Sequence, residues 1–508
     1  MGSSPLIAVV LPKAPGRQTF LRRERLKSNL QVGRKRLKIV QVLMVRLKQM
    51  ADVVDLMLMA AAREPYRQAA IAHYHELLEK CDVAAFAEEL QGELRKRDVE
   101  FGGRFLCPFL RPHFIGREQM LLLQDAVRGI CRALQAIAPR LLSEEELKVK
   151  LGLTDDDRRL IEIDPRYKEI SVSSRLDSFL MGGTLQFVEY NAETPAGVVY
   201  SDDMIKSFLR TELFNDFMKA FPCQAYYSAD RLLQSLLDAY EEWGGTEKPT
   251  IGIIDYEGLP TAPEFRRIRD HFQKCGYKCL IADPRNLEYH NGVLSYRGQQ
   301  IHIFYKRLLI NEYLERASEC KAVWEAYKNQ AACFVNSFRC KIFHKKAIFA
   351  ILTDPKYQEG FTEQQLQAVY SHIPWTRMLI DENTTGPNGA KINLLEWVRA
   401  NKNNLVMKPN DDYGGHGIVI GWESEQSAWE QAIEKCLNND YLVQVKVNVA
   451  REHYPSWNGS NVEMGEYAVD LDPYIFDGRV SSFMTRLSGT SLCNVTSGGG
   501  ATATFVLD

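Results

Sequence analysis

The sequence has no cysteine pattern typical of a disulfide-bonded or zinc-binding protein. Its 508 residues include eleven cysteines, an odd number, and no two of them form a C-x-x-C pair. Cys275 and Cys279 are the nearest neighbours. This spacing argues against a disulfide framework and a zinc ribbon, and it predicts reduced thiols in a cytoplasmic protein.

Long apolar runs and an excess of one charge are also missing. Val53–Ala62 has about half the length needed to span a bilayer. The first residues lack the serine or threonine of a myristoylation signal and the usual apolar core of a signal peptide. With 63 Lys and Arg against 65 Asp and Glu, the total charge indicates neither a nucleic-acid nor a membrane partner. We therefore expect a cytoplasmic protein that has no membrane partner.

The first 48 residues depart from this charge balance. They contain twelve Lys and Arg residues and a single acidic residue, Glu24. Such a segment can bind a phosphate polymer or a transit receptor. More often it is a solvated helix face or a poorly ordered terminus. We expect no nucleic-acid partner, although residues 1–48 keep that question open.

The composition itself is that of a soluble globular protein, with 45% hydrophobic and 25% charged residues. The length suffices for about three domains. Apolar residues recur at helical spacing over 37–142, and beyond that point strand-like and helical segments alternate, which predicts an α/β or α+β body behind a helical region. The predicted parts are a basic segment, a helical region, a strand-rich part, an α/β domain and a C-terminal part, at 1–48, 49–150, 151–248, 249–311 and 312–508.

A glycine-rich hairpin is predicted at 404–421. Two apolar runs flank a polar loop that contains Gly414, Gly415 and Gly417. Glycines at this density let backbone N–H groups approach a phosphate, and Lys408 places a cation at the end of the incoming strand. The residue order is not that of a P-loop. An exposed hairpin with a mobile tip is the alternative interpretation.

Two strands earlier in the chain carry polar residues two positions apart. Glu189 and Asn191 end the predicted strand 184–191, and Arg175 and Asp177 end the preceding one. Residues two apart on a strand share a face. Glu189 and Asn191 thus offer a carboxylate and an amide oxygen side by side, which are ligands that Mg²⁺ accepts. A strand end before a turn and a plain surface ion pair are the alternatives.

A lysine pair and a later strand are candidates for further contacts, because the phosphate and Mg²⁺ groups above could belong to a nucleotide. Lys345 and Lys346 open an apolar helix, from which a lysine could reach α- or β-phosphate oxygens. Solvated lysines are the alternative. Gln444 lies in the predicted strand 442–447, whose backbone could hydrogen-bond an adenine edge.

The C-terminal part carries a further set of polar residues. Asp470 and Asp472 share one face of the predicted strand 467–474, and Arg486 and Asn494 follow. Acid, arginine and amide groups on adjacent strands suit a metal–phosphate site. An acid pair on an edge strand is also an ordinary device for solubility.

In chain order the sequence presents R-x-D, E-x-N-x-x-x-P, a lysine at a helix start, K-P-x-x-D-x-G-G-x-G and G-G-G-A-x-A. This series resembles the circularly permuted ATP-grasp enzymes, both the bacterial type and glutathione synthetase of the eukaryotic kind. In an ordinary ATP-grasp protein the E-x-N pair follows the glycine-rich hairpin, whereas here it precedes it. The resemblance covers about 165–508. It implies a circularly permuted ATP-grasp fold, with 249–311 as the substrate-side domain and 312–508 as the core with its glycine-rich lid.

The resemblance also implies ATP and Mg²⁺ as cofactors and assigns residues to them. The residues implied to hold ATP are Lys346 (or its neighbour Lys345), Lys408, Gly414, Gly415, Gly417 and Gln444. Glu189 and Asn191 look like Mg²⁺ ligands, and Asp412 is similar to the third acidic ligand, which is Glu in glutathione synthetase. Asp470, Asp472 and Asn494 stay open as alternatives for that third ligand.

The catalytic residues implied by the resemblance are arginines. Arg175 looks like the arginine that meets the substrate and the transferred phosphate, and Arg486 is the second candidate. The segment 491–507 is similar to the closing Gly/Ala-rich loop of glutathione synthetase. Two departures matter: the chain has Lys306-Arg307 where the bacterial family usually has two arginines, and nothing matches the substrate loop of glutathione synthetase well. Glutathione itself is therefore not implied.

The function implied is an ATP-dependent carbon–nitrogen ligase. In this family ATP phosphorylates a carboxylate of a small acid or peptide, and an amine attacks the acyl phosphate to form an amide. A degenerate ATP-grasp that binds nucleotide as a partner or scaffold protein is the second hypothesis. A metal-free α/β protein that binds a carbohydrate or cofactor is the third, but it leaves the lysines and E-x-N unexplained. The identities of the acid and the amine and the oligomeric state, a homodimer included, stay open.

Overall fold

The computed structural model of the chain describes residues 58–59, 62–412, 414–437, 439–491, 493 and 499–508. The basic segment 1–48, Asn494 and Gly498, on which part of the sequence interpretation rests, lie outside these residues. None of the helices in the described ranges combines the length and the apolar character needed to cross a membrane.

Helices dominate the described residues 62–161, but three short strands interrupt them. The elements are α1 (62–80), α2 (Val83–Arg95), β1 (Glu100–Phe101), β2 (Arg104–Phe105), β3 (His113–Gly116), α3 (Arg117–Ser143), α4 (Glu145–Lys150) and α5 (Asp155–Ile161). Local sequence explains two of the helix starts. Asp82 caps α2 by accepting a hydrogen bond from the backbone N–H of Ala85, and Thr154 forms a capping box with Asp157 at α5.

The next part contains the two strands that carry R-x-D and E-x-N. Its elements are β4 (Ser173–Met181), β5 (Thr184–Asn191), α6 (Val198–Phe208), α7 (Glu212–Ala220), β6 (Cys223–Ala225) and α8 (Ala229–Trp243). The predicted strand 184–191 is confirmed. A turn at Gly182-Gly183 joins it to β4, which pairs with it in antiparallel fashion.

A parallel α/β unit follows. Its elements are β7 (Thr250–Ile254), α9 (Ala262–Lys274), β8 (Lys278–Ala282), β9 (Glu288–His290), β10 (Val293–Tyr296), β11 (Gln299–Gln300), β12 (Ile303–Lys306), α10 (Ile310–Glu315), α11 (Lys321–Lys328), β13 (Cys333–Val335), α12 (Lys341–His344) and α13 (Ala347–Leu352). β7, α9 and β8 form a β–α–β unit, and β9 and β10 form a hairpin around Asn291-Gly292. In the larger sheet the parallel strands lie in the order β13-β12-β7-β8.

The C-terminal part holds the glycine-rich hairpin and most of the long strands. Its elements are α14 (Glu363–His372), β14 (Thr376–Met378), β15 (Asn383–Thr385), β16 (Lys391–Asn393), α15 (Leu394–Ala400), β17 (Leu405–Pro409), β18 (Val419–Ile420), α16 (Gln426–Cys436), β19 (Tyr441–Val445), β20 (Arg451–Trp457), β21 (Val462–Phe476), β22 (Arg479–Ser488), β23 (Gly500–Thr502) and β24 (Thr504–Leu507). The hairpin is confirmed, because β17 and β18 pair antiparallel around the loop.

Two sheets bring the predicted motifs together. In the six-stranded sheet the order is β23-β22-β21-β4-β5, and β20 also pairs with β21. The late strand β21 therefore pairs directly with β4, which comes much earlier in the chain. The second sheet has the order β14-β19-β17-β18 and contains the glycine-rich hairpin. Because β21 lies between β22 and β4, the edge-strand interpretation of Asp470 and Asp472 is wrong.

The helical region is joined to the rest of the chain through a third sheet. Its strand β3 pairs in parallel with β24, the last strand, and β24 also pairs with β6. The contact carries apolar side chains, including Phe114 and Phe505, into one buried cluster. Residues 62–161 therefore contribute to the same body as the motif-bearing strands, and the predicted division at residue 150 stays a prediction.

Candidate active site

A cavity of about 830 Å³ is lined by residues of the six-stranded sheet, the β17–β18 hairpin, β19 and the carboxyl ends of β7 and β12. This volume falls within the usual range of small-molecule pockets, roughly 300–1,000 Å³. The predicted site residues on its wall are Arg175, Glu189, Asn191, Lys408, Gly414, Gly415, Gln444 and Arg486. Lys346, Asp412 and Gly417 lie off the wall.

The β4–β5 ladder sets the positions of the R-x-D and E-x-N residues. Arg175 pairs across the strands with Asn191, and Asp177 pairs with Glu189. The Asp177 carboxylate accepts hydrogen bonds from Arg175 Nε at 2.9 Å and from the Asn191 amide nitrogen at 2.8 Å. Because this bond occupies the amide nitrogen, a cation would be bound through the amide oxygen of Asn191.

A cluster of three carboxylates and two guanidinium groups lies next to these residues, at the centre of the sheet. Arg486 Nη2 is 2.6 Å from Asp177 Oδ2 and 2.9 Å from Asp472 Oδ2, and it also donates to Asp470. Burial would raise the pKa of Asp177, but the charges of Arg175 and Arg486 hold that pKa well below its usual range. Burial raises the pKa of Asp470 and that of Asp472. The arginines are thus fixed in place by buried acids.

Lys408 ends β17 inside the protein, close to the E-x-N strand. Its Nζ donates to the side-chain oxygen of Gln444 at 2.8 Å and to the backbone carbonyl of Val188 at 3.2 Å. Burial lowers the pKa of Lys408 to about 8; the charge of Lys346 acts in the same direction, and that of Glu189 opposes it. The site therefore holds a lysine that titrates near physiological pH.

The structure distinguishes the two adjacent lysines at the start of α13. Lys346 Nζ is 3.4 Å from Glu189 Oε1 and donates to the backbone carbonyl of Asp412 at 2.5 Å. Lys345 instead forms a 2.8 Å ion pair with Asp411 and donates to the carbonyl of Gly152. Of the pair, Lys346 is the lysine that reaches the E-x-N strand.

Lys346 lies 3.4 Å from the Glu189 carboxylate and donates to the backbone carbonyl of Asp412, so the Asp412 backbone comes close to Glu189. The carboxylate oxygens of Glu189 and the amide oxygen of Asn191 are hard donors of the kind that Mg²⁺ prefers. Asp470 is already engaged by Arg486. The donor chemistry around Glu189 therefore fits a magnesium ion.

The glycine-rich loop reaches the cavity through Gly414 and Gly415. A positive φ of 70° and a close approach require glycine at position 417, where a Cβ would lie 2.6 Å from the Tyr441 hydroxyl. The second predicted loop is different in its described part. Gly500–Thr502 form β23, which is buried and paired with β22, and Thr504–Leu507 form β24, so the prediction of a loop is wrong for these residues.

One end of the cavity carries polar residues that sequence reasoning did not assign. Asp255 directly follows β7, and Arg307 directly follows β12. The side-chain atoms on this part of the wall that are buried without a hydrogen-bond partner in the described structure are Tyr200 Oη, Thr261 Oγ1, Glu264 Oε2 and Arg307 Nε. Ligands of parallel α/β sheets bind at the carboxyl ends of strands. The sequence signal that could have identified Asp255 and Arg307 is therefore their position directly after a strand.

The charges at this end are arranged around Arg307. Its Nη2 lies 3.7 Å from Glu264 Oε2, and its Nη1 donates to the carbonyl of Pro195 at 2.8 Å. Burial raises the pKa of Asp255 to about 7. A buried guanidinium, two acids and two hydroxyls can bind a small molecule that carries both a carboxylate and an amine.

No model of a known protein family matches the chain. Over 117 residues, 22% of the chain, it is 32% identical to the putative glutamate–cysteine ligase 2-2 of Frankia casuarinae and to the putative glutamate–cysteine ligase 2-3 of Frankia alni. The match spans 13% of the length of each of these relatives.

The fold has a known counterpart. A glutathione synthetase-like effector (GSS30) from Globodera pallida aligns over 84% of this chain and 97% of its own length. The TM-score is 0.54 at 12% sequence identity, so the likeness concerns the fold alone. The mixed α/β class predicted from the sequence is confirmed, and the chain shares the fold of a glutathione synthetase-like protein.

Proposed function

We propose that this protein is an ATP- and Mg²⁺-dependent ligase that joins a carboxylate to an amine through an acyl phosphate, on a circularly permuted ATP-grasp scaffold. The observation that carries the proposal is the cavity, whose wall collects Glu189 and Lys408 although they are more than two hundred positions apart. The E-x-N strand precedes the glycine-rich hairpin in the chain, which is the permuted order. The fold shared with a glutathione synthetase-like effector supports the same scaffold.

Lys346 and Lys408 are the proposed phosphate-binding lysines. They come from different elements, α13 and β17, and both lie close to Glu189. Two cations on separate elements can contact different phosphates of one nucleotide. The backbone N–H groups of Gly414 and Gly415 would bind the phosphate from the loop side.

The adenine base is proposed to lie against the second sheet. Val406, Ile420 and Val445 line that part of the cavity, and a flat base buries its faces well between aliphatic side chains. The side chain of Gln444 is engaged by Lys408 and donates to Thr376. The backbone of β19 would therefore supply the hydrogen bonds to the base, with Gln444 positioning the lysine.

Glu189, Asn191 and Asp412 are the proposed Mg²⁺ ligands. Lys346 contacts both the Glu189 carboxylate and the backbone carbonyl of Asp412, and Asp177 orients the amide of Asn191. When bound, the ion supplies positive charge that neutralises the ATP phosphates. Asp177 also keeps its proton off at neutral pH and so remains an acceptor for Asn191.

Arg175 and Arg486 are proposed to stabilise the charge that develops on the transferred phosphoryl group and on the attacked carbonyl oxygen. Fixed charges are effective in catalysis because they need not reorganise during the reaction. Asp177 accepts from both arginines and thereby fixes their orientation. Asp255, Glu264 and Arg307 are proposed to hold the acid and the amine at the far end of the cavity.

ATP turnover tests the proposal. The full chain is incubated with Mg²⁺-ATP and mixtures of amino acids and small carboxylic acids, and ADP and amide products are measured. We expect ADP release that requires both an acid and an amine. Nucleotide binding without turnover under every mixture would favour the degenerate, scaffold-type hypothesis, and a lack of nucleotide binding would overturn the ATP-grasp interpretation.

A further inference from the structure

The helical region contributes part of the cavity wall, although it carries none of the motifs discussed above. Phe101 and Leu106 line the cavity, and they come from the short β1–β2 hairpin and the residue that follows it. The hairpin turns at Gly102 and Gly103, whose φ angles of 58° and 77° match a two-residue turn that favours glycine.

Two contacts place this hairpin at the substrate end of the cavity. At its base, Asp98 lies 4.0 Å from Arg266 of α9, the helix that also carries Glu264. After the hairpin, the carbonyl of Leu106 accepts a 2.7 Å hydrogen bond from Ala501, which pairs across the strands with Arg486. The hairpin is thus linked both to the strand that pairs with the Arg486 strand and to the helix that carries Glu264.

The wall at this position is apolar. Leu106 belongs to the same buried cluster as Tyr200 and Met484, and Phe101 packs against that cluster. Met484 also lines the cavity. The apolar wall (Phe101, Leu106 and Met484) therefore lines the same cavity as the Tyr200 hydroxyl, which is buried and has no hydrogen-bond partner within the described protein.

We propose that the apolar wall binds an apolar group of the acid or amine substrate, so that the ligase selects a small molecule with a charged head and an apolar side chain. This inference rests on the proposed ligase function and specifies its substrate class. A polar side chain of the same size would lose its hydrogen bonds to water without gaining new ones against Phe101 and Leu106. An apolar pocket discriminates against such an isostere by roughly a hundredfold at most.

The hairpin offers a matched pair of variants for the test. Phe101 lies on the cavity wall, whereas Phe105 lies on the opposite face of the hairpin, where its ring is 5.0 Å from the Arg95 guanidinium. Phe101→Ala and Phe105→Ala remove the same side chain from the same turn. A general effect on folding would therefore affect both variants.

The experiment compares leucine, phenylalanine and methionine with asparagine, glutamine and glutamate as substrates of the full chain with Mg²⁺-ATP. We expect the apolar amino acids to be preferred and Phe101→Ala to lower kcat/KM for them at least about tenfold. The KM for ATP should stay unchanged, and Phe105→Ala should remain within about twofold of wild type. Binding of the same amino acids in the presence of ADP and Mg²⁺ is measured by calorimetry, which gives a readout independent of turnover.

Four results separate this inference from the function on which it rests. Turnover with a preference for polar amino acids would overturn the inference and leave the ligase function intact. Equal losses in Phe101→Ala and Phe105→Ala, or no binding of any apolar amino acid, would also overturn it. Absence of Mg²⁺-ATP binding would overturn the proposed function and this inference together.

Discussion

Two lysine–carboxylate clusters lie side by side in this molecule and are built differently. In the inner ion cluster (Asp411, Lys341 and Lys345), the Asp411 carboxylate accepts from both lysines at 2.8 Å. Beside it, Lys346 and Glu189 are 3.4 Å apart, and Glu189 lies on the cavity wall. One cluster is closed within the protein, and the other opens to a cavity.

This comparison shows how charges that stabilise the fold can be distinguished from charges that are available to bind a ligand. Burial would raise the pKa of Asp411, but Lys341 and Lys345 hold that pKa well below its usual range, so the charge of Asp411 is compensated within the protein. In the proposed nucleotide site, by contrast, Lys346 and Lys408 lie close to Glu189, which is a proposed metal ligand. Removing a residue from the inner cluster should cost stability, and removing one from the open cluster should cost function.

The largest effect is expected from Glu189→Gln. The amide keeps the shape but loses the charge that binds Mg²⁺, so ATP turnover should fall by a factor on the order of 10² or more while the melting temperature is retained. Turnover and thermal unfolding are measured on the same preparation. Glu193→Gln is the matched control, because Glu193 is buried within 3.8 Å of Lys306 and Lys341. That variant should lower the melting temperature; a stable Glu193→Gln beside an unfolded Glu189→Gln would reverse the assignment.

Methionine substitutions of Lys345 and Lys346 should affect different properties: the first lowers stability, and the second lowers nucleotide affinity. Lys345→Met leaves Asp411 with a single lysine partner and should destabilise the protein by about 3 kcal/mol, as broken buried pairs do. Lys346→Met should weaken binding of a non-hydrolysable ATP analogue by roughly 1.5–3 kcal/mol, the value of a hydrogen bond to a charged group. Chemical denaturation and calorimetry measure the two quantities. Equal nucleotide affinity in wild type and Lys346→Met would exclude Lys346 as a phosphate ligand.

Nucleotide affinity should fall as the pH rises through about 8. Lys408 has an ordinary pKa of 10.5 that burial lowers to about 8, so its positive charge is present below that pH and lost above it. One proton changes affinity by at most about tenfold per pH unit. Titration of the ATP analogue between pH 7 and 9 measures the effect, and Lys408→Arg should abolish it because arginine stays charged. A pH-independent wild-type affinity would contradict the role of Lys408.

The same shift has a consequence for stability. Because the folded pKa of Lys408 lies below the unfolded value, the charged form is disfavoured in the folded state. Its burial therefore costs stability below pH 8, and this cost disappears as the pH rises from 8 to 10.5.

The smallest effect is expected in hydrogen exchange of the two glycine-rich segments. The N–H groups around Gly414 and Gly415 should exchange more slowly with ATP and Mg²⁺, because they then find phosphate oxygens. Residues 500–502 should exchange slowly in both states, because β23 is buried and paired with β22. Slow exchange of the loop without nucleotide would indicate a rigid structural hairpin.

Several features of the site could be predicted from the sequence because they depend on local patterns. The strand 184–191 and the β17–β18 hairpin follow from alternation and from glycine-rich turns. The shared face of Glu189 and Asn191 follows from the two-residue period of a strand. The exposed or buried position of a strand in its sheet does not follow from such patterns, and for this reason the edge position considered for Asp470 and Asp472 was wrong.

Other features depend on contacts between distant segments. Tyr200, Glu264 and Arg307 carry no shared spacing in the sequence, and they meet only because α6 and α9 pack together beside the end of β12. Phe101 and Leu106 belong to a region without motifs, so nothing in their sequence indicated a place on the cavity wall.

The sequence by itself determined some of the strands, such as 184–191, and the residue pairs that share a face on them, since these depend on the geometry of a few neighbouring residues. Only the tertiary structure decided that E-x-N meets Lys408, and that Lys346 and not Lys345 reaches Glu189. Adjacent residues at a helix start point in different directions. Which of them reaches Glu189 is set by the packing of the start of α13 against the end of β17. There the backbone N–H of Lys346 donates to the backbone carbonyl of Asn410.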